Sequence, residues 1–238
     1  MLSIIIPAHD EAPLIGATLD AIASATAWLG DRVEVIVVDD ASTDATADIA
    51  RARGARVVQV AVRQIAAARN AGAATARGDR LLFVDADTLA NEPVLRALMA
   101  AMDAGAAGGG VAVRFHRPMP LHMRLFESVS IVLFRWVGIT PGCFLFCTRA
   151  AFEAVGGFNE ELYVTEDVAL GRALRRAGPV VILREEVWTS PRKMRTYSLW
   201  EKLRAVTRFA LAPRRTSRDR ERLDLWYGSR RHESSDER

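Results

Sequence analysis

Phe83-Val84-Asp85-Ala86-Asp87-Thr88 closes an apolar run, Leu81 to Val84, on two carboxylates one residue apart. The run reads as a buried strand. In extended backbone, residues i and i+2 project to the same side, so Asp85 and Asp87 are expected to face one point beyond the strand end. Two hard oxygen ligands, open to incoming phosphate oxygens, suit Mg²⁺ or Mn²⁺ held together with a nucleoside diphosphate. An isolated Asp-x-Asp equally fits a solvated turn with helix-capping aspartates. The rest of the chain decides between the two.

Upstream, three further short strands alternate with helices. Leu2 to Ile6 is a β-branched run that Pro7 is expected to end. Asp10 can cap a helix with Ile15, Leu19, Ile22 and Ala23 inward. Val33 to Val38 is a strand running into Asp39-Asp40-Ala41-Ser42-Thr43-Asp44, which caps a helix carrying Ala45, Ile49 and Ala52 and closed by Gly54. Arg56 to Val60 is a strand and Ile65 to Ala76 an Ala-rich helix closed by Gly78. After the aspartates, Asn91-Glu92-Pro93 opens a helix with Leu95, Leu98, Met99 and Met102 inward. This alternation predicts an α/β fold with a mostly parallel sheet and helices on both faces. Ligands then bind beyond the carboxyl ends of the strands. Three of those ends carry acids: Asp10 and Glu11, Asp39 and Asp40, Asp85 and Asp87. Acids gathered at one sheet edge need a cation or a donor-rich ligand, and this favours the metal over the turn.

Past Gly108-Gly109-Gly110 the regularity changes. Val111 to Phe115 and Cys143 to Cys147 read as strands, Pro120 to Val137 and Arg149 to Val155 as helices, and Gly138 to Gly142 as a loop. Gly156-Gly157 turns the chain. Thr165 then caps a helix starting Glu166-Asp167, with Leu170, Leu174 and Ala177 on one face, and Gly178-Pro179 stops it before a last strand, Val180 to Leu183.

With 238 residues, half of them hydrophobic, the chain can bury the core of one large domain with a tail. The net charge of +3 is uneven: residues 192–238 hold 14 Lys or Arg against 7 Asp or Glu. The basic character therefore belongs to the tail, whose last ten residues read as disordered. Cys143 and Cys147 are spaced for neither a metal nor a redox motif, read as buried thiols, and favour a reducing, cytoplasmic compartment. The N-terminus lacks the pattern of a signal peptide, and no apolar run reaches the length of a membrane span.

Several stretches together resemble the family 2 glycosyltransferases of GT-A fold. They are Ser3 to Glu11, Val38 to Asp44, Ala68-Arg69-Asn70-Ala71-Gly72, Asp85-Ala86-Asp87, Pro141-Gly142, Val155 to Glu160 and Glu166-Asp167, in the family's order. The resemblance covers residues 2 to about 190. It implies a GT-A domain over 1–190, with a nucleotide-sugar half at 1–105 and an acceptor half at 106–190, followed by a basic amphipathic tail at 191–238. By that resemblance Pro7, Ala8, His9, Glu11 and Asp39 line the nucleoside pocket of a UDP- or GDP-linked sugar donor. Asp85, Ala86 and Asp87 are the metal-diphosphate motif, with Asp87 the direct ligand and Asp85 beside it, and the cofactor is Mg²⁺ or Mn²⁺. Arg69 serves phosphate or pocket organisation, or is a plain helix-surface arginine. Thr140, Pro141 and Gly142 border the acceptor, with Arg192 near the diphosphate. Asp167 is the base for the acceptor hydroxyl and Glu166 its acidic neighbour.

His9 departs from the asparagine or tyrosine usual at its position, and His116 or His122 could add a third metal ligand. The Gln-x-x-Arg-Trp signature of processive synthases is missing from the tail, so the resemblance implies a non-processive, inverting enzyme of the cell-envelope polysaccharide type. The alternative is a retaining GT-A enzyme acting on a small phosphorylated acceptor. A nucleotidyltransferase would need a Gly-rich basic loop after the first strand, which Pro7-Ala8-His9-Asp10 is not. Nucleic-acid binding is not expected, because Asp219, Glu221 and Asp224 interrupt the tail's arginines. Apolar faces at Leu121, Leu125, Phe126, Val129, Val132, Leu133 and Trp136, and at Trp200, Leu203, Val206 and Ala210, suggest core packing for the first. For the second they suggest peripheral contact with an anionic inner membrane face, where a lipid-linked acceptor would lie.

Overall fold

The computed structural model of the chain describes residues 1–115 and 142–190. The strands are β1 (Leu2–Ala8), β2 (Val33–Asp40), β3 (Arg56–Val60), β4 (Arg80–Val84), β5 (Thr88–Leu89), β6 (Gly108–Phe115), β7 (Phe144–Thr148) and β8 (Val180–Thr189). They form one sheet in the order β3-β2-β1-β4-β7-β6-β8-β5. The first four positions are parallel, as the alternation requires, while β7 runs antiparallel to both β4 and β6, and β5 antiparallel to β8.

Strand periodicity sorts the core onto two faces. Leu2, Ile4, Ile6, Val37, Leu82 and Val84 pack with α1 (Ala12–Thr26) and α4 (Glu92–Asp103). Ile5, Ile36, Val38, Leu81, Phe83 and Leu145 pack with α3 (Ile65–Thr75) and with α6 (Glu166–Ala177) on the other face. The short helices α2 (Thr46–Ala52) and α5 (Arg149–Ala154) complete the layers. Ala12–Arg32, which covers α1 and a 3-10 turn, has the length and hydropathy of a membrane span. Ile15, Leu19 and Ile22 are buried on the sheet, so the core accounts for its apolar composition.

Several local expectations are corrected. Pro7 continues β1 instead of ending it, because pairing with β4 stops at Ile5 and no ladder bond is lost on that side. Asp10 does not cap α1: at φ +49° its carboxylate accepts from Thr43 N, while Asp44 Oδ2 receives Ala12 N at 3.1 Å. Ala23, Ala45, Ala52 and Ala177 are exposed, and the inward positions are instead Ala25 and Thr26 on α1, and Thr46 and Ala50 on α2. Thr165 precedes α6 but makes no side-chain cap. Gly108 and Gly109 lie inside β6, where Cβ atoms would meet Phe146 O at 2.7 Å and Val181 O at 2.2 Å. Close strand approach, not a boundary, explains those glycines. The helix expected over 120–137, both candidate third metal ligands, and the tail lie outside the described residues.

Candidate active site

The site is built at the carboxyl ends of β1, β2 and β4, as an open sheet of this kind requires. Asp85-Ala86-Asp87-Thr88 is a turn, closed by Thr88 N to Asp85 O at 3.1 Å, so the extended-strand geometry expected for the two aspartates does not apply. Asp85 N is tied to Cys143 O at 3.1 Å, and Asp87 O receives Ser190 N at 3.2 Å. Thr189 Oγ1 donates to Asp87 Oδ1 at 3.2 Å. The end of β8 therefore braces Asp87. The contact between Thr189 and Asp87, 102 residues apart, is not legible in the sequence.

Arg69 sits at the centre. The side chain is 2% exposed, so it is an interior residue and the helix-surface alternative falls. Its Nη1 donates to Glu166 Oε1 at 2.8 Å, and its Nη2 to Asp85 Oδ1 and to Gly142 O, each at 2.9 Å. The guanidinium also lies 5.2 Å from the centre of the Phe158 ring, which stacks edge-on against Phe83. Nε is buried without a partner among the described residues. Burial works against the charge, but Asp85, Glu166 and Asp167 outweigh it and strengthen the arginine's hold on its proton.

The segment leading to α6 is docked on α3. Asn70 donates to Phe158 O and receives Phe158 N, both at 2.9 Å, and Gln64 donates to the carbonyl of Glu160. Thr165 then adopts φ +65°, which a β-branched residue reaches only under constraint, at about 1–3 kcal/mol. Immediately after it, Glu166 turns in to Arg69 while Asp167 lies against Gly142. A Cβ on Gly142 would come within 2.6 Å of Asp167 Oδ2, so the missing side chain makes room for the carboxylate. Asp167 Oδ1 accepts from its neighbour Val168 N at 2.8 Å. Burial pushes the Glu166 carboxyl up to about 7 against the pull of Arg69. Burial also raises Asp167 above the ordinary aspartate range. The Cys143 thiol is driven well up by burial and by the charges of Asp85, Asp87 and Asp167.

Of the residues expected to line a nucleoside pocket, Ala8, Glu11 and Asp39 are buried and Pro7 and His9 half-buried. Ser42 N donates to Asp39 Oδ1 at 3.3 Å, and Glu11 N donates to Thr46 Oγ1 at 2.8 Å. His9 Nε2 lies 3.2 Å from Asp10 Oδ2. Asp40 caps the loop before α3 through its carboxylate. Thr140, Pro141 and Arg192 fall outside the described residues, so of the acceptor-side set only Gly142 is placed.

Among the described residues, no group of three or more His, Cys, Asp or Glu is arranged to hold a metal ion. Asp85 and Asp87 offer two hard donors and leave the remaining ligands to water and phosphate, as Mg²⁺-type sites do. Around Arg69 stand Asp85, Glu166 and Asp167, with Asp87 two residues on, and one buried cation leaves that group negative. The donor set fits a divalent cation arriving with a diphosphate.

A sequence model of glycosyl transferase family 2 matches residues 3–156, and the chain belongs to that family. Its fold is the GT-A glycosyltransferase fold. A mannosyltransferase from Pyrobaculum calidifontis, solved with GDP-Man and Mn²⁺, is 26% identical at a TM-score of 0.70, over 90% of this chain and 64% of that one. TarS of S. aureus (residues 1–349, with UDP-GlcNAc) is 20% identical at 0.63, over 94% of this chain and 69% of that one. Glucosyl-3-phosphoglycerate synthase from Mycobacterium tuberculosis, with Mn²⁺, UDP and phosphoglyceric acid, is 22% identical at 0.63, over 92% and 78%. The chain spans 64% of the mannosyltransferase and 39% of a longer TarS chain. No curated protein sequence matches.

Proposed function

We propose that the chain moves a sugar from a nucleoside diphosphate sugar to an acceptor hydroxyl, one residue at a time and with inversion, in the presence of Mg²⁺ or Mn²⁺. The observation that carries this is the convergence of Asp85, Glu166 and Asp167 around buried Arg69, with Asp87 braced beside them by Thr189. The solved mannosyltransferase and the glucosyl-3-phosphoglycerate synthase were each captured with Mn²⁺, which supports a divalent cation. Asp85 and Asp87 would hold it, and when bound it neutralises charge building on the departing diphosphate.

Asp167 takes the acceptor proton. Its raised affinity for a proton suits a base working near neutral pH. Glu166, spent on Arg69, is a positioning group. Arg69 has its terminal nitrogens committed to Glu166, Asp85 and Gly142, so it organises the pocket and does not grip phosphate. Pro7, Ala8, His9, Glu11 and Asp39 border the nucleoside. The basic composition of residues 192–238 suits peripheral contact with an anionic membrane face, where a lipid-linked acceptor would be met, and weak, salt-sensitive vesicle binding tests that.

The deciding experiment incubates the chain with UDP- and GDP-linked sugars, with and without Mn²⁺, and scores hydrolysis and product configuration. Metal-dependent release of nucleoside diphosphate with an inverted product supports the proposal. A retained configuration instead favours the reading as a retaining enzyme on a small phosphorylated acceptor.

A further inference from the structure

We propose that Arg63 reads the O6/N7 edge of guanine, so that the donor is a guanosine diphosphate sugar. The inference rests on the nucleotide-sugar reading above and narrows it to one base. The carboxyl ends of β1, β2 and β3 lie side by side in the sheet and bring His9, Asp39 and Arg63 to one corner. The Asp40 carboxylate clamps the loop that carries Arg63. Its Oδ1 accepts from Val62 N and Arg63 N, each at 2.8 Å, and its Oδ2 from Gln64 N at 3.1 Å. Three consecutive amides on one carboxylate hold Arg63 at φ +50°, a left-handed conformation with no local attraction for arginine.

The contact made by the guanidinium is mismatched. Arg63 Nη1 lies 3.2 Å from His9 Nδ1, and the same ring nitrogen lies 2.9 Å from Asp40 O. With a proton on Nδ1, the ring satisfies the carbonyl and meets the guanidinium donor against donor. Without it, the ring accepts from Arg63 and sets its lone pair against the carbonyl oxygen. Either tautomer leaves one contact like against like. An exposed guanidinium in that position gains by turning to a better acceptor, and a bound base supplies one.

Asp39 contributes the opposite sign. It is 4% exposed at the end of β2, and among the described residues Ser42 N alone donates to its carboxylate. Guanine presents ring N1–H and the 2-amino group on one edge and O6 with N7 on the next. It therefore answers both a carboxylate and a forked donor. Uracil offers one N–H between two carbonyls, with no second donor beside it for the carboxylate and no ring-nitrogen acceptor beside O4 for the fork. Adenine has no ring N–H for Asp39 and turns its amino group toward Arg63.

The test measures Mn²⁺-supported binding of GDP, 7-deaza-GDP, UDP and ADP by calorimetry, for the wild-type chain and for Arg63→Gln. GDP is expected to bind at least about fivefold tighter than UDP or ADP, the lower end of a bidentate base contact. Loss of N7 should weaken wild-type binding by roughly tenfold, the scale of one charged hydrogen bond, and should not matter in Arg63→Gln. UDP or ADP binding as tightly as GDP overturns the assignment, as does wild-type indifference to N7, a result that needs no variant to fold. An Arg63→Gln chain still sensitive to N7 also overturns it. If no nucleoside diphosphate binds at all, the nucleotide-sugar reading falls with it, whereas base-indifferent binding removes this inference alone.

Discussion

Arg69 and Glu166 are 97 residues apart in sequence, and their side chains meet at 2.8 Å in the interior. That pair ties α3, which carries Arg69, to the first residue of α6, Glu166. The same guanidinium holds Asp85, so the turn at the end of β4 and the start of α6 share one cation. A buried charge with this many partners specifies geometry more than it adds stability, and removing it exposes the acids to each other.

Arg69→Met should therefore destabilise the chain by about 3–5 kcal/mol, the cost of breaking a buried ion pair on one side. The denaturant midpoint measures it. Arg69→Met combined with Glu166→Gln should recover part of the loss, since one orphaned acid is gone. No recovery would mean that Glu166 is not the dependent partner.

Gly142→Ala tests how Asp167 is aimed. The added methyl would meet Asp167 Oδ2 at 2.6 Å and its Cβ and Cγ at 3.0 Å, so turning the carboxylate alone does not clear it and the start of α6 must give slightly. Donor affinity should stay near wild type while the chain loses a little stability and turnover drops by about a hundredfold, the scale of an ångström's misplacement at a reacting group. Equal turnover in the variant would detach Asp167 from the reaction.

Much of this was legible in the chain. Alternating strand and helix patterns placed β1 to β4 in a parallel array, and Asn91-Glu92-Pro93 marked a true helix start, with Asn91 capping Val94 N at 3.0 Å. Asp85, Asp87, Glu166 and Asp167 stood out as acids at element ends. The contacts that tie them together did not. The burial of Arg69 depends on Gly142 and Glu166 arriving from far along the chain, and an arginine on an Ala-rich helix looks solvated until they do. Thr189 stayed hidden for the same reason: β8 runs on to pair Thr189 with Thr88, a register set by tertiary packing. The strain at Thr165 and Arg63 leaves no trace in composition, since neither is a glycine or asparagine.

Asp87→Ala should keep the fold and remove Mn²⁺-dependent nucleotide binding. Thr189→Val, which deletes the hydroxyl donating to Asp87, should weaken the same binding by less. Calorimetry with and without Mn²⁺ reads both. An Asp87→Ala chain that turns over normally in the same Mn²⁺ would refute the metal assignment.

Acidity should pull activity and stability in opposite directions. Asp167 must be ionised to accept a proton, and burial raises its pKa, so turnover should fall as pH drops, starting above the ordinary aspartate range. Glu166 rises from 4.5 to about 7 on folding. Its contribution to stability is complete below pH 4.5 and is lost as pH climbs through about 7. Melting temperatures measured from pH 5 to pH 8 should decline for this group, and Glu166→Gln should flatten the slope. An unchanged slope would leave Glu166 without the raised pKa.

Asp167→Asn isolates the base. An acceptor hydroxyl is a poor nucleophile at neutral pH, so displacement at the anomeric carbon needs a carboxylate within reach. Glu166 cannot serve, because its carboxylate is committed to Arg69 in the interior while Asp167 faces the loop at Gly142. Asparagine keeps the size and can still accept from Val168 N, so the start of α6 should survive. Turnover should fall by at least about a hundredfold, the scale of general-base catalysis, with donor affinity near wild type. Donor affinity lost in step with rate would place Asp167 at the nucleotide instead. Residual product of retained configuration would remove the need for a base and assign the chain to the retaining mechanism.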